Sequence, residues 1–361
     1  MIKSINISWA KISIFVFWTS LIFIFLYSPF FKHTFFEKKT ITILTWADMI
    51  DLQTVARFEA ESGIKVNVNY YENNEELFAK LQVTQGQEYD LITITDNGVD
   101  YLRRNELIKK IDKSKLLFWN DIEPRLINHY FDPNNYYSIP YNWDIYGLGI
   151  NRNYFGQTLP AASWNLIFDE KFAPNKISMI DDAYDSVLIA AKYLYGSIDN
   201  LSKEKLEEIK DLLIMQKKWV EVYTDLRSDY FLKLGICPVV VAQSAYIYRA
   251  IEEDHGHFAF LIPKEGSFLI IDSIVIPVSS QKDDLVYTFI NFLFKKNEII
   301  NFVKKFGYLP VTKEILYSLN FDYIGDISRI LSSDNFKKFS FFKREIPFTE
   351  ISKLWIEVKS A

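Results

Sequence analysis

The sequence predicts an α/β protein built in two lobes, and three observations lead to this fold class. Short β-branched runs alternate with stretches of helical spacing in residues 40–95, which is the pattern of parallel strands joined by right-handed crossovers. A second α/β pattern follows a long extended segment at 137–151. The chain has 361 residues, which is enough for two domains that each have a core.

The first pattern is a regular alternation of strands and helices. Its elements are, in order, a strand at 40–46, a helix at 50–62 ended by Gly63, a strand at 65–70, a helix at 73–83 and a strand at 89–95. This order predicts a largely parallel sheet.

The second pattern begins after the aromatic segment 137–151, which would suit a strand crossing from one lobe to the other. Its elements are a strand at 176–180, a helix from 181 to 195, a helix at 201–223, a strand at 239–242, an extended segment at 270–277 and a helix at 348–361.

An apolar stretch near the N-terminus indicates export. Residues 12–31 carry no charge, and about 20 apolar residues can span a bilayer as a helix. No Ala-x-Ala pattern follows, which favours an uncleaved signal anchor, although a cleaved signal peptide and a buried core helix stay open. We expect residues 1–39 to be this signal segment. The rest of the chain would then be a soluble part on one side of the membrane, and the lysines on both sides of the segment leave its orientation open.

Composition and missing motifs exclude several classes of protein. The net charge is −5 and no long basic run occurs, which argues against nucleic-acid binding. The single cysteine, Cys237, allows no disulfide within the chain and is expected to be a small buried residue. No P-loop, GxGxxG, GxSxG or nucleophile–base pair is present, so we expect no enzyme and no cofactor. His255 and His257 follow three acidic residues, where a solvated loop is favoured over a metal site.

Candidate binding residues follow the predicted strands, because ligands of open α/β sheets bind beyond the carboxyl ends of the strands. This rule selects 46–48, 95–97 and 181–185. Asp182 and Asp185 share one face at a helix start, where capping and ligand binding are both open. Trp46 has two interpretations, core packing or stacking on a cation. Asp272 stands alone in an apolar strand, where a carboxylate is costly unless it is paired.

Across nearly all of residues 40–361, the sequence resembles the spermidine/putrescine-binding proteins of bacterial ABC uptake systems. The segments that carry the resemblance include Leu44-Thr-Trp46, Glu61-Ser-Gly-Ile-Lys-Val, Tyr71-Glu-Asn-Asn-Glu-Glu, Tyr89-Asp-Leu, Ile111-Asp-Lys-Ser-Lys-Leu, Phe131-Asp-Pro-Asn-Asn-Tyr, Pro263-Lys-Glu-Gly, Asp272-Ser and Gly307-Tyr308. The resemblance implies the two-lobed periplasmic-binding-protein fold (type II), with a ligand cleft between the lobes and a hinge of crossing strands. It implies one lobe from 40–144 and 271–316 and another from 145–270 and 317–361.

The resemblance also implies a ligand site of carboxylates and aromatic walls. The positions that match binding residues or replace them are Trp46, Asp48, Thr95, Asn97, Asp182, Asp185, Gln243, Asp272 and Tyr308. This chain departs from the family pattern at Met49 and Asn97, where relatives carry tyrosines, and at Gln243 and Ile270, where they carry tryptophans. The acidic set is retained while the aromatic set is thinned, which leaves the selectivity for ligand length open.

These residues imply a binding protein that captures putrescine or spermidine between its lobes and closes around it. The expected partners are the polyamine, the permease subunits of an ABC transporter and the membrane through the N-terminal segment. We expect a monomer without a metal. The resemblance implies that it lies in the periplasm or on the extracytoplasmic face, tethered to the inner membrane by residues 12–31 if that segment is kept. Alternatives are a binding protein of this fold for another small cation, an amino-acid derivative or a metal chelate, a membrane-anchored sensor, and an extracellular hydrolase.

Overall fold

The computed structural model describes residue 13, residues 16–23 and residues 39–361 except 85, 157, 225 and 226, and leaves out the side chain of residue 75. Residues 16–23 are helical, with exposed side chains. Of the helices that are described, none combines the length and the apolar composition that crossing a membrane requires. The predicted segment at 12–31 lies largely outside the described residues, so its role stays a prediction.

In the described part of the chain, the first three strands lie in the first predicted pattern and the other strands lie from residue 138 onward. They are β1 Thr40–Thr45, β2 Lys65–Tyr70, β3 Leu91–Ile94, β4 Ser138–Asn151, β5 Ile177–Met179, β6 Val220–Tyr223, β7 Val239–Gln243, β8 Phe258–Leu261, β9 Ser267–Val275, β10 Leu309–Pro310 and β11 Phe339–Ser340.

The helices after residue 39 lie between these strands and at the C-terminal end. They are α1 Leu52–Ser62, α2 Asn74–Thr84, α3 Asp96–Arg104, α4 Asn165–Phe168, α5 Ala183–Tyr195, α6 Lys203–Gln216, α7 Ser228–Lys233, α8 Ser244–Glu253, α9 Asp283–Leu293, α10 Lys296–Phe306, α11 Lys313–Leu316, α12 Ile327–Ile330, α13 Ser333–Phe336 and α14 Phe348–Ser360. Four short 3₁₀ turns lie between α3 and β4.

One continuous sheet runs through the described residues, in the order β2-β1-β3-β9-β4-β7-β5-β6. The flanks are parallel, as predicted, whereas β9 pairs antiparallel with β3 and β4, and β4 pairs antiparallel with β7 and β8. The prediction of a largely parallel sheet is therefore wrong at the centre. β8 and β9 are separated only by residues 262–266 and both pair antiparallel with β4, β8 along residues 148–151 and β9 along residues 138–145.

The helix predicted at 201–223 is too long. It ends at Gln216, and the residues at 220–223 form β6, which pairs with β5 at the edge of the sheet. Val220 and Val222 are β-branched and suit a pleated strand. Pairing with β5 is a long-range contact that the local pattern did not contain.

Two clusters of buried side chains form the cores, and β4 passes from one to the other. The first core contains Trp143 and Ile145 of β4, and the second contains Tyr146 and Leu148. Residues up to 145 pair with β9, and those from 146 to 151 pair with β7 and β8. The predicted crossing strand is thus a single strand of 14 residues.

The side chains after residue 316 divide between the two cores. Phe321 and Ile327 pack in the first core, whereas Phe342 and Ile351 pack in the second. The division into lobes of 40–144 with 271–316 and 145–270 with 317–361 stays a prediction.

Gly307 ends α10 where that helix meets α8, and we expect alanine there to destabilise the fold. Its φ is +83°, and an added Cβ would lie 2.7 Å from the backbone oxygen of Ala245. Backbone strain of about 1–2 kcal/mol and overpacking of about 1–3 kcal/mol should both lower the free energy of unfolding. Gly196→Ala is the matched control, because Gly196 has φ +67° at the end of α5 with open space around it. Equal losses for the two variants in urea unfolding would contradict the close approach of α10 to α8.

Candidate functional site

The centre of the sheet brings two acidic side chains onto one face. Asn142 of β4 lies opposite Asp272 of β9, and Asp144 lies two residues further along β4. Side chains alternate along a strand, so Asp144 and Asp272 are diagonal neighbours on the same face, about 7–8 Å apart. The predicted candidate Asp272 is thus accompanied by a second carboxylate, which the sequence analysis did not select.

Asp272 is 3% exposed, and within the described part of the chain its carboxylate has neither a hydrogen bond nor an ion pair. Burial raises its pKa well above the ordinary value, and the charges of Asp144 and Asp96 raise it further. Such a group stays neutral until a cation comes close enough to pair with its charged form.

Asp144 is 1% exposed and lies at the N-terminus of α8. Its carboxylate accepts hydrogen bonds from the backbone N–H of Ile145 at 2.7 Å, the backbone N–H of Ala245 at 3.2 Å and the hydroxyl of Ser244. Burial nevertheless raises its pKa to about 7, because desolvation outweighs these donors. The argument that selected Asp272, a carboxylate inside an apolar strand, applies equally to Asp144 in its segment and could have found it.

Trp46 follows β1 and stacks on Tyr71, with ring centroids 5.2 Å apart. The Tyr71 hydroxyl donates to the backbone oxygen of Thr93 at 2.7 Å. Burial, and then the charge of Asp272, raises the pKa of Tyr71, which places this aromatic pair beside the central carboxylates. The indole Nε1 of Trp46 is buried and has no hydrogen-bond partner in the described structure.

Tyr308 follows α10 directly and is buried. Burial raises its pKa first, then the neighbouring Tyr246, and then the charges of Asp272 and Asp144. The charge of Asp272 thus acts on both Tyr71 and Tyr308, and Trp46 is linked to them by its stacking on Tyr71.

Asp48 is paired with a basic residue that the sequence analysis missed. An oxygen of its carboxylate lies 2.9 Å from Nη1 of Arg249 on α8, and the Arg249 guanidinium lies 4.8 Å from the ring centroid of Tyr246. Asp48 has φ +66°, a left-handed conformation that aspartate tolerates better than most residues. The pair joins the loop after β1 to α8, and no local sequence signal indicates it.

Three other predicted residues bond to protein groups. The Thr95 hydroxyl donates to Oδ1 of Asn97 at 2.8 Å, and Nδ2 of Asn74 donates to the same oxygen at 3.2 Å. Gln243 lies at the end of β7, where its Nε2 donates to the hydroxyl of Tyr146 at 3.4 Å. Asn97 and Gln243 thus present polar groups that are already hydrogen-bonded to neighbouring side chains.

Asp182 and Asp185 lie at the start of α5. Asp182 is the N-cap and accepts from the backbone N–H of Asp185 at 2.9 Å, which confirms the capping interpretation. Its other carboxylate oxygen lies 3.2 Å from Nη2 of Arg344. Neither of these two contacts involves Trp46 or Asp272. The ligand role of Asp182 and Asp185 stays a prediction.

The acidic and histidine residues around 252–257 form no metal centre in the structure. Nδ1 of His257 lies 2.6 Å from Oδ1 of Asp254, and both side chains are about half exposed. In the part of the chain that the structure describes, no group of three or more His, Cys, Asp or Glu side chains is arranged to hold a metal ion.

Replacing Asp144 with asparagine should flatten the pH dependence of stability. The pKa of Asp144 is about 7 in the folded chain against an ordinary 3.8, so the folded state holds the proton more tightly. The free energy of unfolding of the unchanged protein should therefore fall as pH rises from about 4 to about 7. Asp144→Asn should remove up to about 4 kcal/mol of that fall. Urea unfolding at pH 4.5, 5.5, 6.5 and 7.5 measures it, and parallel curves for the two proteins would contradict the raised pKa.

The comparisons with known proteins agree with this architecture. The sequence profile of the family described as bacterial extracellular solute-binding protein matches residues 53–320. The chain is 28% identical over 280 residues to the spermidine/putrescine-binding periplasmic protein of Salmonella typhimurium, an alignment that covers 75% of this chain and 77% of the relative. It is 28% identical over 274 residues to the putrescine-binding periplasmic protein SpuD of Pseudomonas aeruginosa, covering 72% and 74%.

A solved structure shows the same fold. The spermidine/putrescine ABC transporter substrate-binding protein PotD of Streptococcus pneumoniae superposes with a TM-score of 0.78 and 22% identity, covering 89% of this chain and 99% of that one. The predicted fold class, α/β with the two-lobed periplasmic-binding-protein fold, is confirmed by this likeness.

The family match covers well over half of the chain and settles the class of protein. Members of this family bind solutes outside the cytoplasm, so the chain is a transport-type binding protein and not an enzyme, and it acts in the periplasm or on the extracytoplasmic face. The chain belongs to the bacterial extracellular solute-binding proteins.

Proposed function

We propose that this protein captures a polyamine, putrescine or spermidine, and delivers it to the permease subunits of an ABC transporter. The single observation that carries the proposal is Asp272, a buried carboxylate for which the described residues supply no cation. The curated relatives named above are polyamine-binding periplasmic proteins, which supports the same class of ligand.

The charge of the site favours a ligand with more than one ammonium group. After burial, the charges of Asp144 and Asp96 raise the pKa of Asp272, and the three buried carboxylates cannot all ionise without added positive charge. A linear polyamine brings separated cations that can each pair with a carboxylate. Each pairing offsets the cost of desolvating both partners.

The aromatic groups suit the remainder of such a ligand. Trp46 stacks on Tyr71, and the charge of Asp272 contributes, after burial, to the raised pKa of Tyr71 and of Tyr308. The faces of these rings can cover the methylenes of a polyamine and attract its ammonium groups by about 0.5–2 kcal/mol each. A polyamine site needs two features, which are carboxylates that pair with the ammonium groups and aromatic rings that cover the methylenes.

Delivery requires that ligand binding be coupled to closure. We propose that the two predicted lobes close around the ligand because it touches residues from both cores, and that the transporter recognises the closed monomer. The N-terminal segment at 12–31 would hold the protein at the membrane surface.

A second candidate ligand is a zwitterionic amino-acid derivative. Arg249 lies beside Tyr246 and Asp48, and its Nε is buried without a partner in the described structure. A ligand carboxylate is a suitable acceptor for that N–H.

Thermal unfolding of the full-length protein in mild detergent should separate these candidates. We expect putrescine or spermidine to raise the melting temperature, because a ligand at 100 times its dissociation constant adds about 2.7 kcal/mol of stability. Spermine, cadaverine, arginine and γ-aminobutyrate complete the panel. A shift with γ-aminobutyrate alone would favour the zwitterion, and folded, ligand-free protein that responds to no polyamine would overturn the polyamine proposal.

Asp272→Asn should weaken polyamine binding by about 2–5 kcal/mol, because the ammonium loses its charged partner in a dry site. The fold should tolerate the change, since the side chain is neutral without ligand. Asp90→Asn is the matched control: Asp90 is also buried, but it is paired with Lys282 at 2.9 Å, away from the central carboxylates. Calorimetric titration measures both, and equal affinities of the two variants for spermidine would remove Asp272 from the site.

A further inference from the structure

Asp96 is a buried carboxylate inside the range 95–97 that the strand-end rule selected, but it was given no role of its own. It is the first residue of α3, directly after β3, and it is 3% exposed. Its Oδ1 accepts the backbone N–H of Asn97 at 2.8 Å. Its Oδ2 is buried and has no hydrogen-bond partner among the described residues. A buried acceptor without a donor is costly, and its position at the carboxyl end of a strand is where ligands of this fold class bind.

The surroundings of Asp96 connect it to the central carboxylates. Burial raises its pKa to about 7, while the charge of Arg344 opposes the rise. The charge of Asp96 in turn raises the pKa of Asp272 and of Tyr130. The hydroxyl of Tyr130 is also buried without a partner in the described structure. Ile94 at the end of β3 lies opposite Ser273 of β9, so Asp96 begins α3 close to the segment of β9 that holds Asp272. Arg344 and Tyr130 are the other ionisable residues that interact with the charge of Asp96.

Arg344 approaches Asp96 from the side of the second core. It lies in the segment between β11 and α14, two residues after Phe342, which packs in that core. Its Nη2 lies 3.2 Å from Oδ2 of Asp182, and its guanidinium lies 5.1 Å from the ring centroid of Tyr184. The side chains of Arg344 and Asp182 are 32% and 31% exposed, so this cation sits at the solvent edge.

Building on the proposed function, we propose that Asp96 is a further ligand carboxylate and that Arg344 is a built-in cation which a terminal ligand ammonium displaces. Arg344 acts on a carboxylate from each core, Asp182 by contact and Asp96 by its charge. A primary ammonium carries three donors and can reach the unpartnered Oδ2 of Asp96. The ligand class is a linear diamine or triamine with a primary amine at its end.

The displacement has a physical basis in the exposure of Arg344. A partly exposed arginine can rotate into water at low cost, because water replaces the hydrogen bonds it leaves. The ammonium of the ligand then takes over the neutralisation of Asp96 and Asp182. Removing Arg344 should therefore remove an internal competitor for the ligand.

Spermidine and putrescine titrations of the full-length chain test this proposal. We expect Asp96→Asn to weaken the affinity for spermidine and for putrescine by at least tenfold. We expect Arg344→Gln to increase both affinities severalfold. Arg344→Gln should have little effect in the Asp96→Asn background, because the two residues act on one ammonium. Asp100→Asn is the matched control on the same helix, since Asp100 pairs with Arg103 and Arg104, and it should change the affinity less than twofold.

Proton release gives a readout that a purely structural role would not move. Pairing with an ammonium ionises Asp96, so binding at pH 6.5 should release protons, measured by calorimetry in buffers of different ionisation enthalpy. Asp144 also titrates near pH 7, so the difference between the unchanged protein and Asp96→Asn isolates the contribution of Asp96.

The outcomes separate this inference from the proposed function. If Asp96→Asn keeps the affinity and proton release of the unchanged protein while Asp272→Asn loses affinity, Asp96 is not a ligand carboxylate and the polyamine function stands. If Arg344→Gln weakens binding, the displacement is wrong. If the unchanged protein binds neither polyamine, the proposed function fails and this inference with it.

Discussion

The cost of burying carboxylates away from water is the constraint on which the site depends. Asp96, Asp144 and Asp272 are each at most 3% exposed, and burial is the leading cause of the raised pKa of each. Backbone donors at the start of α8 satisfy Asp144, but no comparable set of donors meets Asp272. Desolvation shifts the equilibrium of these acids toward the neutral form, and under the proposed function a cation would pair with their charged form in a medium of low dielectric constant.

The sheet makes this arrangement possible because its two central strands belong to both cores. β4 passes from the first core to the second at residues 145–146, and β9 pairs with the first half of β4. Asp144 and Asp272 are placed on these strands, where the chain passes from one core to the other. Trp46 and Asp96 follow the carboxyl ends of the parallel strands β1 and β3, which is where ligands of this fold class bind.

Two arginines complicate a simple picture of an acidic cleft. Arg249 pairs with Asp48 and Arg344 with Asp182, and each joins segments that are far apart in the chain. Part of the negative charge is therefore neutralised within the protein, and the neutralised acids are the partly exposed Asp48 and Asp182. The buried acids Asp96, Asp144 and Asp272 form no ion pair with the described residues, and this difference is why the proposed ligand site is placed at them and not at the paired acids.

The sequence by itself determined the alternation of strands and helices and the crossing strand, because hydrophobic periodicity is a local property. It also identified Asp272 as a candidate binding residue, because a lone charge in an apolar run is visible without the fold. It also placed Trp46 and Asp182 at strand ends. It did not determine that 220–223 is a strand, since its partner β5 lies some 40 residues earlier in the chain. Nor did it indicate that Asp96 would be buried, or that Arg249 and Arg344 would approach the acids. Burial, charge pairing and strand order depend on contacts between distant segments, and these exist only once the chain has folded.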